Sequence, residues 1–148
     1  MAGQVCIDAS FAIKWVLPED LSEQATQLLI RWVEGGDSLV APPLFAAEVT
    51  SVICERVFRG EMSMVQADAA LDASLMWPVR MPASGRNLQR SALKLAARFN
   101  HPKAYDAQYL ALAHLLGCEL WTGDQRLVNS LQGTLPWVKW VGDFSQAS

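Results

Sequence analysis

Four acidic residues of this chain lie beside apolar segments of the sequence: Asp8, Glu48, Asp106 and Asp124. Asp8 directly follows the apolar residues 5–7, and Asp124 follows another apolar segment after a single glycine. Glu48 and Asp106 lie near the beginnings of segments with a helical pattern. Because a carboxylate loses solvation when it is buried, these positions suggest that the acids have a chemical role.

Each acid also has a purely structural interpretation. Asp8 suits the N-cap of a helix, and Asp124 lies in Thr-Gly-Asp, a sequence suited to a turn or an N-cap. Asp106 would gain from the dipole at a helix N-terminus, and Glu48 could begin a solvated helical stripe. Four independent placements of this kind are much rarer than any one of them, which favours a shared function.

The elements that must position these acids alternate between strand-like and helix-like patterns, which indicates an α/β fold with a mostly parallel sheet. The predicted strands cover residues 4–7, 38–41, 79–81, 118–122 and 137–141. The predicted helices cover residues 10–17 with Ser10 as the N-cap, about 19–34, 43–59, 63–76, a basic helix from Ser84 or Asn87 to Phe99, 104–116 and 125–131. Sites in open α/β sheets form beyond the carboxyl ends of the strands, so we expect the four acids at one edge.

A cluster of four carboxylates requires a partner of opposite charge, because like charges within a few ångströms disfavour joint ionisation. Mg²⁺ and Mn²⁺ prefer carboxylate and water ligands. Neither His101, which precedes a proline, nor His114, in the middle of a helix, is placed for a softer site, whereas the hydroxyls of Ser10 and Thr122 could orient the carboxylates. Such metal sites typically perform phosphate chemistry, and the absence of a glycine-rich phosphate loop argues against a nucleotide hydrolase.

Composition limits the setting in which this chemistry would occur. The 148 residues contain no repeat or linker-like segment, so we expect one domain over residues 1–148. Three widely spaced cysteines predict neither a disulfide framework nor a zinc site, and they favour a reducing compartment such as the cytoplasm. Asp8 interrupts the only N-terminal apolar run and other uncharged stretches are short, so neither a signal peptide nor a membrane contact is expected.

Four segments together resemble the PIN-domain ribonucleases, and within them the VapC toxins of VapBC toxin–antitoxin pairs. They read VCIDASFAIKW, PPLFAAEVTSVI, AYDAQYLALA and LWTGDQRL, and each carries one of the four acids. Each motif alone is common, but the ordered set, from about residue 4 to residue 141, is specific. The resemblance implies a PIN-like three-layer α/β/α sandwich with a short, mostly parallel five-stranded sheet, endoribonuclease activity, a homodimer and neutralisation by a cognate antitoxin.

The resemblance also assigns roles to individual residues. Asp8, Glu48, Asp106 and Asp124 match the acidic quartet that holds Mg²⁺ or Mn²⁺, and Ser10 and Thr122 match the small hydroxyl positions beside it. The implied reaction is hydrolysis of an RNA phosphodiester by a metal-activated water. The three aspartates are then the direct ligands, while the glutamate is a ligand, a water-holding residue or a proton acceptor.

A basic helix is the candidate contact for RNA. Residues 73–105 contain no acid but six of the twelve Lys and Arg residues, although the whole chain has a net charge of −3. Four of these cations recur every four residues and therefore share one helix face: Arg86, Arg90, Lys94 and Arg98. Clustered positive charge suits phosphate binding, but the same face could be merely solvated or could bind acidic residues of an antitoxin.

Other functions remain open at this point. A haloacid-dehalogenase-like phosphohydrolase requires a second aspartate two residues after the first, where this chain has Ser10. A non-catalytic PIN-like module that binds RNA or protein would not need all four acids. Cleavage of DNA also stays possible, because metal-dependent hydrolysis does not use the 2′-hydroxyl.

Overall fold

The structure is a computed structural model that describes residues 3–145. Within these residues, five strands and seven α-helices alternate, and a short 3₁₀-helix over Val141–Asp143 follows the last strand. The strands are β1 (Gln4–Ile7), β2 (Ser38–Val40), β3 (Val79–Arg80), β4 (Glu119–Thr122) and β5 (Val138–Trp140). The helices are α1 (Ala9–Val16), α2 (Ser22–Glu34), α3 (Leu44–Phe58), α4 (Met64–Met76), α5 (Arg86–Arg98), α6 (Tyr105–Leu116) and α7 (Gln125–Ser130).

The five strands form one sheet in the order β3-β2-β1-β4-β5, and all neighbouring pairs are parallel. Helices cover the sheet, with α1 packed against α2, α3 and α4, and α5 packed against α6. This arrangement confirms the predicted three-layer α/β/α sandwich. Because all five strands run in the same direction, their carboxyl ends lie at one edge of the sheet.

Local sequence explains where the elements begin and end. Ser63 caps α4 through a capping box with Gln66, and Gly117 ends α6 in the left-handed conformation, with a φ of 66°, which glycine adopts without steric cost. The helix predicted to begin near residue 19 instead begins at Ser22. Glu19 forms ion pairs with Lys14 and Arg56, and Leu21 adopts a positive φ that interrupts helical geometry.

The prediction that Ser10 caps the first helix is wrong. Asp8 is the N-cap of α1: its backbone is extended, and its side chain accepts a hydrogen bond from the backbone N–H of Phe11. Ser10 already lies inside the helix, and its hydroxyl donates to Asp8 instead. An N-cap residue needs non-helical backbone angles, and the strand that ends at Ile7 gives them to Asp8.

The core lies between the sheet and the helices. Cys6, Ile7 and Leu120 of the central strands are fully buried, and α6 contributes six buried residues between Ala107 and Ala113. The predicted burial of α6 is thereby confirmed. None of the helices within residues 3–145 is long and apolar enough to cross a membrane.

Candidate metal and catalytic site

Strand pairing brings the first and last acidic motifs together. In the parallel pair of β1 and β4, Ile7 lies opposite Trp121, so Asp8 and Thr122 follow at the same level of the sheet. The Thr122 hydroxyl donates a hydrogen bond to Asp8 Oδ2. The Ser10 hydroxyl donates to Asp8 Oδ1 at 2.7 Å. Both hydroxyls named from the sequence therefore contact the buried carboxylate directly.

The turn after β4 is tied to the beginning of α1. The backbone N–H of Gly123 donates to Ser10 Oγ, and the backbone N–H of Asp124 donates to Thr122 Oγ1, each at 3.0 Å. A Cβ at position 123 would lie 2.6 Å from Cε of Lys14 and 2.7 Å from the Ser10 carbonyl oxygen. Only glycine permits this close approach. The glycine of Thr-Gly-Asp therefore fixes the position of Asp124, which is the N-cap residue of α7.

Asp8 is an unusual carboxyl group because it is buried while accepting three hydrogen bonds. Burial raises the pKa of Asp8 from 3.8 to about 6. The hydrogen bonds from Thr122, Ser10 and Phe11 oppose that rise, and the charge of Asp106 adds to it. The fold therefore holds Asp8 in an environment where ionisation of its carboxyl group costs free energy.

Glu48 reaches the site from α3. It is half-buried, and its Oε1 atom is inaccessible to solvent and has no hydrogen-bond partner within residues 3–145. The pKa of Glu48 is raised, first by burial and then by the charge of Asp106, whereas the hydroxyl of Tyr109 lowers it. The buried hydroxyl of Tyr109 likewise lacks a hydrogen bond of good geometry among the described residues and interacts with the Glu48 carboxyl group, so burial of both groups costs free energy.

Asp106 connects the four acids electrostatically. Its residue is exposed at the start of α6, yet partial burial of the carboxyl group raises its pKa, and the charge of Asp124 raises it further. The charge of Asp106 in turn raises the pKa of Asp8 and of Glu48. Each of the other three acids is therefore close enough to Asp106 to repel it, although the four residues span most of the sequence.

The carboxylate oxygens of these four acids are ligands of the type that divalent cations prefer. Within residues 3–145, Asp8, Glu48 and Asp106 form no ion pair with Lys or Arg, and Asp124 has only the highly exposed Arg126, at 3.7 Å. Three carboxyl groups that each repel Asp106 form an arrangement chemically suited to a hard cation.

The carboxyl groups do not form a closed cage. Among the described residues 3–145, no three His, Cys, Asp or Glu side chains are grouped closely enough to hold a metal ion by themselves. Mg²⁺ keeps several waters and needs only one or two protein carboxylates. The arrangement thus fits an open, water-rich Mg²⁺ or Mn²⁺ site and does not fit a dedicated all-protein cage.

The sequence analysis missed three residues at this site. Tyr109, one turn after Asp106 on α6, faces Glu48, and the spacing Asp-x-x-Tyr could have suggested that both belong to one helix face. His101 lowers the pKa of Asp106, and its ring nitrogen Nε2 lies 3.0 Å from Ser130 Oγ. Lys14 lies beneath Gly123; no local pattern signals either of these placements.

The chain can be compared with known proteins on this basis. The sequence profile of the PIN domain matches residues 5–129, a segment that contains all four acids. The chain belongs to the PIN domain family. Members of this family are typically nucleases and generally use divalent metal ions.

Solved structures share the fold. VapC20 of Mycobacterium tuberculosis, described as a toxin that cleaves the sarcin-ricin loop, has a TM-score of 0.63 and 17% identity over 85% of this chain and 94% of that one. PAE2754 from Pyrobaculum aerophilum has a TM-score of 0.64 and 19% identity over 96% and 93%. A toxin–antitoxin complex from Klebsiella pneumoniae has a TM-score of 0.56 and 17% identity over 90% and 94%. These identities show a common fold only, and no curated protein matches the sequence.

Proposed function

We propose that the chain is a Mg²⁺- or Mn²⁺-dependent endoribonuclease and the toxin of a toxin–antitoxin pair. The observation that carries this proposal is the repulsion that links Asp8, Glu48 and Asp124 to Asp106 at the carboxyl edge of the sheet. The described groups that offset this repulsion are the exposed Arg126 beside Asp124 and His101 near Asp106, so the cluster is suited to a further cation from solution. Phosphodiester hydrolysis is the reaction that open carboxylate sites of this kind support.

In this mechanism the three aspartates and the glutamate have different tasks. Asp8, Asp106 and Asp124 are the residues that would hold the divalent ion, one or two of them as direct ligands and the others through water, and the bound ion would supply a Lewis acid for the phosphate and lower the pKa of water. Thr122 and Ser10 fix the orientation of Asp8 by donating hydrogen bonds to its two oxygens. The half-buried carboxyl group of Glu48 accepts a proton from the attacking water.

Substitution of Asp8 by asparagine tests the reaction. The variant should retain the fold, because asparagine is also an effective N-cap, but it should lose metal-dependent cleavage of total RNA. Asp72→Asn, on the exposed surface of α4, is the matched control and should cleave like the wild type. Cleavage by the Asp8 variant in the presence of EDTA, at the wild-type rate, would show that another site performs the reaction.

The antitoxin belongs to the same proposal. VapBC-1 from nontypeable Haemophilus influenzae, which shares the fold with a TM-score of 0.52, was solved as a pair. In the present chain a groove of about 910 Å³ between α1, α3 and α4 is lined by Trp15, Leu17, Met62, Met76 and Trp77. We expect an apolar segment of a cognate antitoxin to bind there. We also expect a homodimer that acts in the cytoplasm, and co-purification with the product of an adjacent reading frame tests the pairing.

A further inference from the structure

A second groove lies between α5, the end of α6 and the segment before β5. It has a volume of about 560 Å³, and we refer to it as the basic–aromatic groove. Its defining residues are Arg90, Lys94 and Arg98 of α5, His114 of α6, and Trp137 just before β5. None of the four acids lines it. Three of the four cations predicted on one face of the basic helix, Arg90, Lys94 and Arg98, therefore line the same concave surface.

The cations in this groove have no acidic partner within the described part of the chain. Arg90, Lys94 and Arg98 are exposed, and none of them forms an ion pair with a residue between positions 3 and 145. Arg98 stacks on the neighbouring Phe99 ring at 4.8 Å. No acidic residue lines the groove. On a protein with a net charge of −3, such a concentration of free positive charge is a local feature that suits an anionic ligand.

Aromatic and apolar surface accompanies the charges. The rings of His114 and Trp137 lie 6.0 Å apart with an interplanar angle of 31°, and His114 is exposed. Leu115 and Leu135 also line the groove. Cations that follow a backbone together with exposed rings form the usual surface for single-stranded nucleic acid.

We propose that the basic–aromatic groove binds a single-stranded stretch of the RNA substrate outside the cleavage position. This inference rests on the proposed ribonuclease function and extends it to substrate length. His114 lies eight residues after Asp106 on α6, which corresponds to ~12 Å along the helix axis. The substrate must therefore be longer than the few nucleotides at the acids, and phosphates contact Arg90 and Lys94 while a base stacks on His114.

An acidic peptide is the competing occupant. It would satisfy the charges of Arg90 and Lys94, but it would make no use of the exposed surface of the His114 ring that Trp137 leaves uncovered. A nucleic acid uses both features of the groove, which is why the observations favour RNA.

Binding of a labelled single-stranded RNA of about 20 nucleotides, longer than one typical single-strand site, tests the proposal. Binding is measured over a salt series with EDTA present, so that cleavage does not contribute. Arg90→Ala and Lys94→Ala should each reduce the salt slope by about 0.7, and the double variant by about 1.4. Arg59→Ala is the matched control, because Arg59 is an exposed arginine directly after α3 whose ion pair within residues 3–145 is with Glu55. It should leave the slope unchanged.

His114→Ala tests the stacking contribution separately. The ring is exposed, so the fold does not depend on it, and affinity should fall about fivefold or more while the salt slope stays at the wild-type value. Wild-type slope and affinity in all groove variants would overturn the proposal. If the same variants then lost binding to the cognate antitoxin, an acidic protein would be the occupant.

The two proposals can fail independently. Loss of RNA affinity in the groove variants, combined with no metal-dependent cleavage by the wild type, would leave the groove as an RNA site and refute the ribonuclease. Metal-dependent cleavage by the wild type, combined with unchanged binding in the variants, would refute the groove alone.

Discussion

Replacement of Asp8 by asparagine should stabilise the ion-free protein at pH 8, although it removes a residue of the proposed catalytic site. Burial raises the pKa of Asp8 from 3.8 to about 6, despite hydrogen bonds from Thr122, Ser10 and Phe11. A carboxyl group with a raised pKa binds its proton more tightly in the folded than in the unfolded chain. Its contribution to stability is therefore fully present below about pH 4 and is lost as the pH rises through about 6.

The magnitude follows from this difference in pKa. One pKa unit corresponds to ~1.4 kcal/mol, so ionisation of Asp8 costs the folded protein ~3 kcal/mol by pH 8. Asparagine stays neutral and keeps an acceptor for the N–H of Phe11. Its NH₂ group replaces Oδ2 opposite the Thr122 hydroxyl, and re-pairing of that contact costs ~1 kcal/mol. The variant should be more stable than the wild type by ~2 kcal/mol at pH 8 and less stable by ~1 kcal/mol near pH 4.

Guanidinium unfolding at both pH values, with EDTA present, measures the effect. Asp72→Asn, which removes an exposed carboxylate from α4, should change stability little at either pH. Mg²⁺ at a hundred times its dissociation constant should then stabilise the wild type by ~2.7 kcal/mol and the Asp8 variant by much less. If the variant were destabilised equally at both pH values, the burial of Asp8 would not carry the cost assigned to it.

Two further substitutions examine the parts that position Asp8. Thr122→Val removes a buried hydrogen-bond donor to Asp8 and should destabilise the protein by ~1–3 kcal/mol in unfolding experiments. Thr122→Ser keeps the hydroxyl and should retain most of the stability. Equal destabilisation by the two substitutions would exclude the hydroxyl as the cause. Gly123→Ala would place a methyl group 2.7 Å from the backbone carbonyl oxygen of Ser10 and should cost ~1–3 kcal/mol together with a loss of RNA cleavage. Gly85→Ala, where a Cβ meets nothing within 4 Å, is its control, and a Gly123 variant as stable as that control would refute the close-approach argument.

The elements of the fold were predictable because the sequence marks their ends. Prolines and glycines interrupt the apolar periodicity at positions such as Pro42, Gly60 and Gly117, so most of the predicted boundaries lie within two residues of the observed ones. The order of the strands in the sheet, in contrast, could not be predicted from the sequence. The arrangement β3-β2-β1-β4-β5 depends on long-range pairing, which leaves no local signal in strands of two to four residues.

The site was predictable to the level of topology. That the acids share the carboxyl edge follows from parallel strands, and the structure connects Asp8, Glu48 and Asp124 through their interactions with Asp106. The contribution of His101 depends on how the loop before α6 folds back toward α7. Such placements depend on distances between elements that are remote in sequence, and residue patterns do not encode them directly.

The structural and functional interpretations of the acids turn out to be compatible. Asp8 caps α1 and Asp124 caps α7, so each has the structural role that would have explained it without any site. A cap needs only a side-chain oxygen acceptor, however, and neutral asparagine or serine supplies one as well as aspartate does. Capping therefore accounts for an acceptor at position 8 but not for a carboxyl group whose pKa burial raises to about 6. The charge is what remains to be explained, and asparagine, which preserves the cap and removes the charge, is the substitution that separates the two roles; alanine would remove both together.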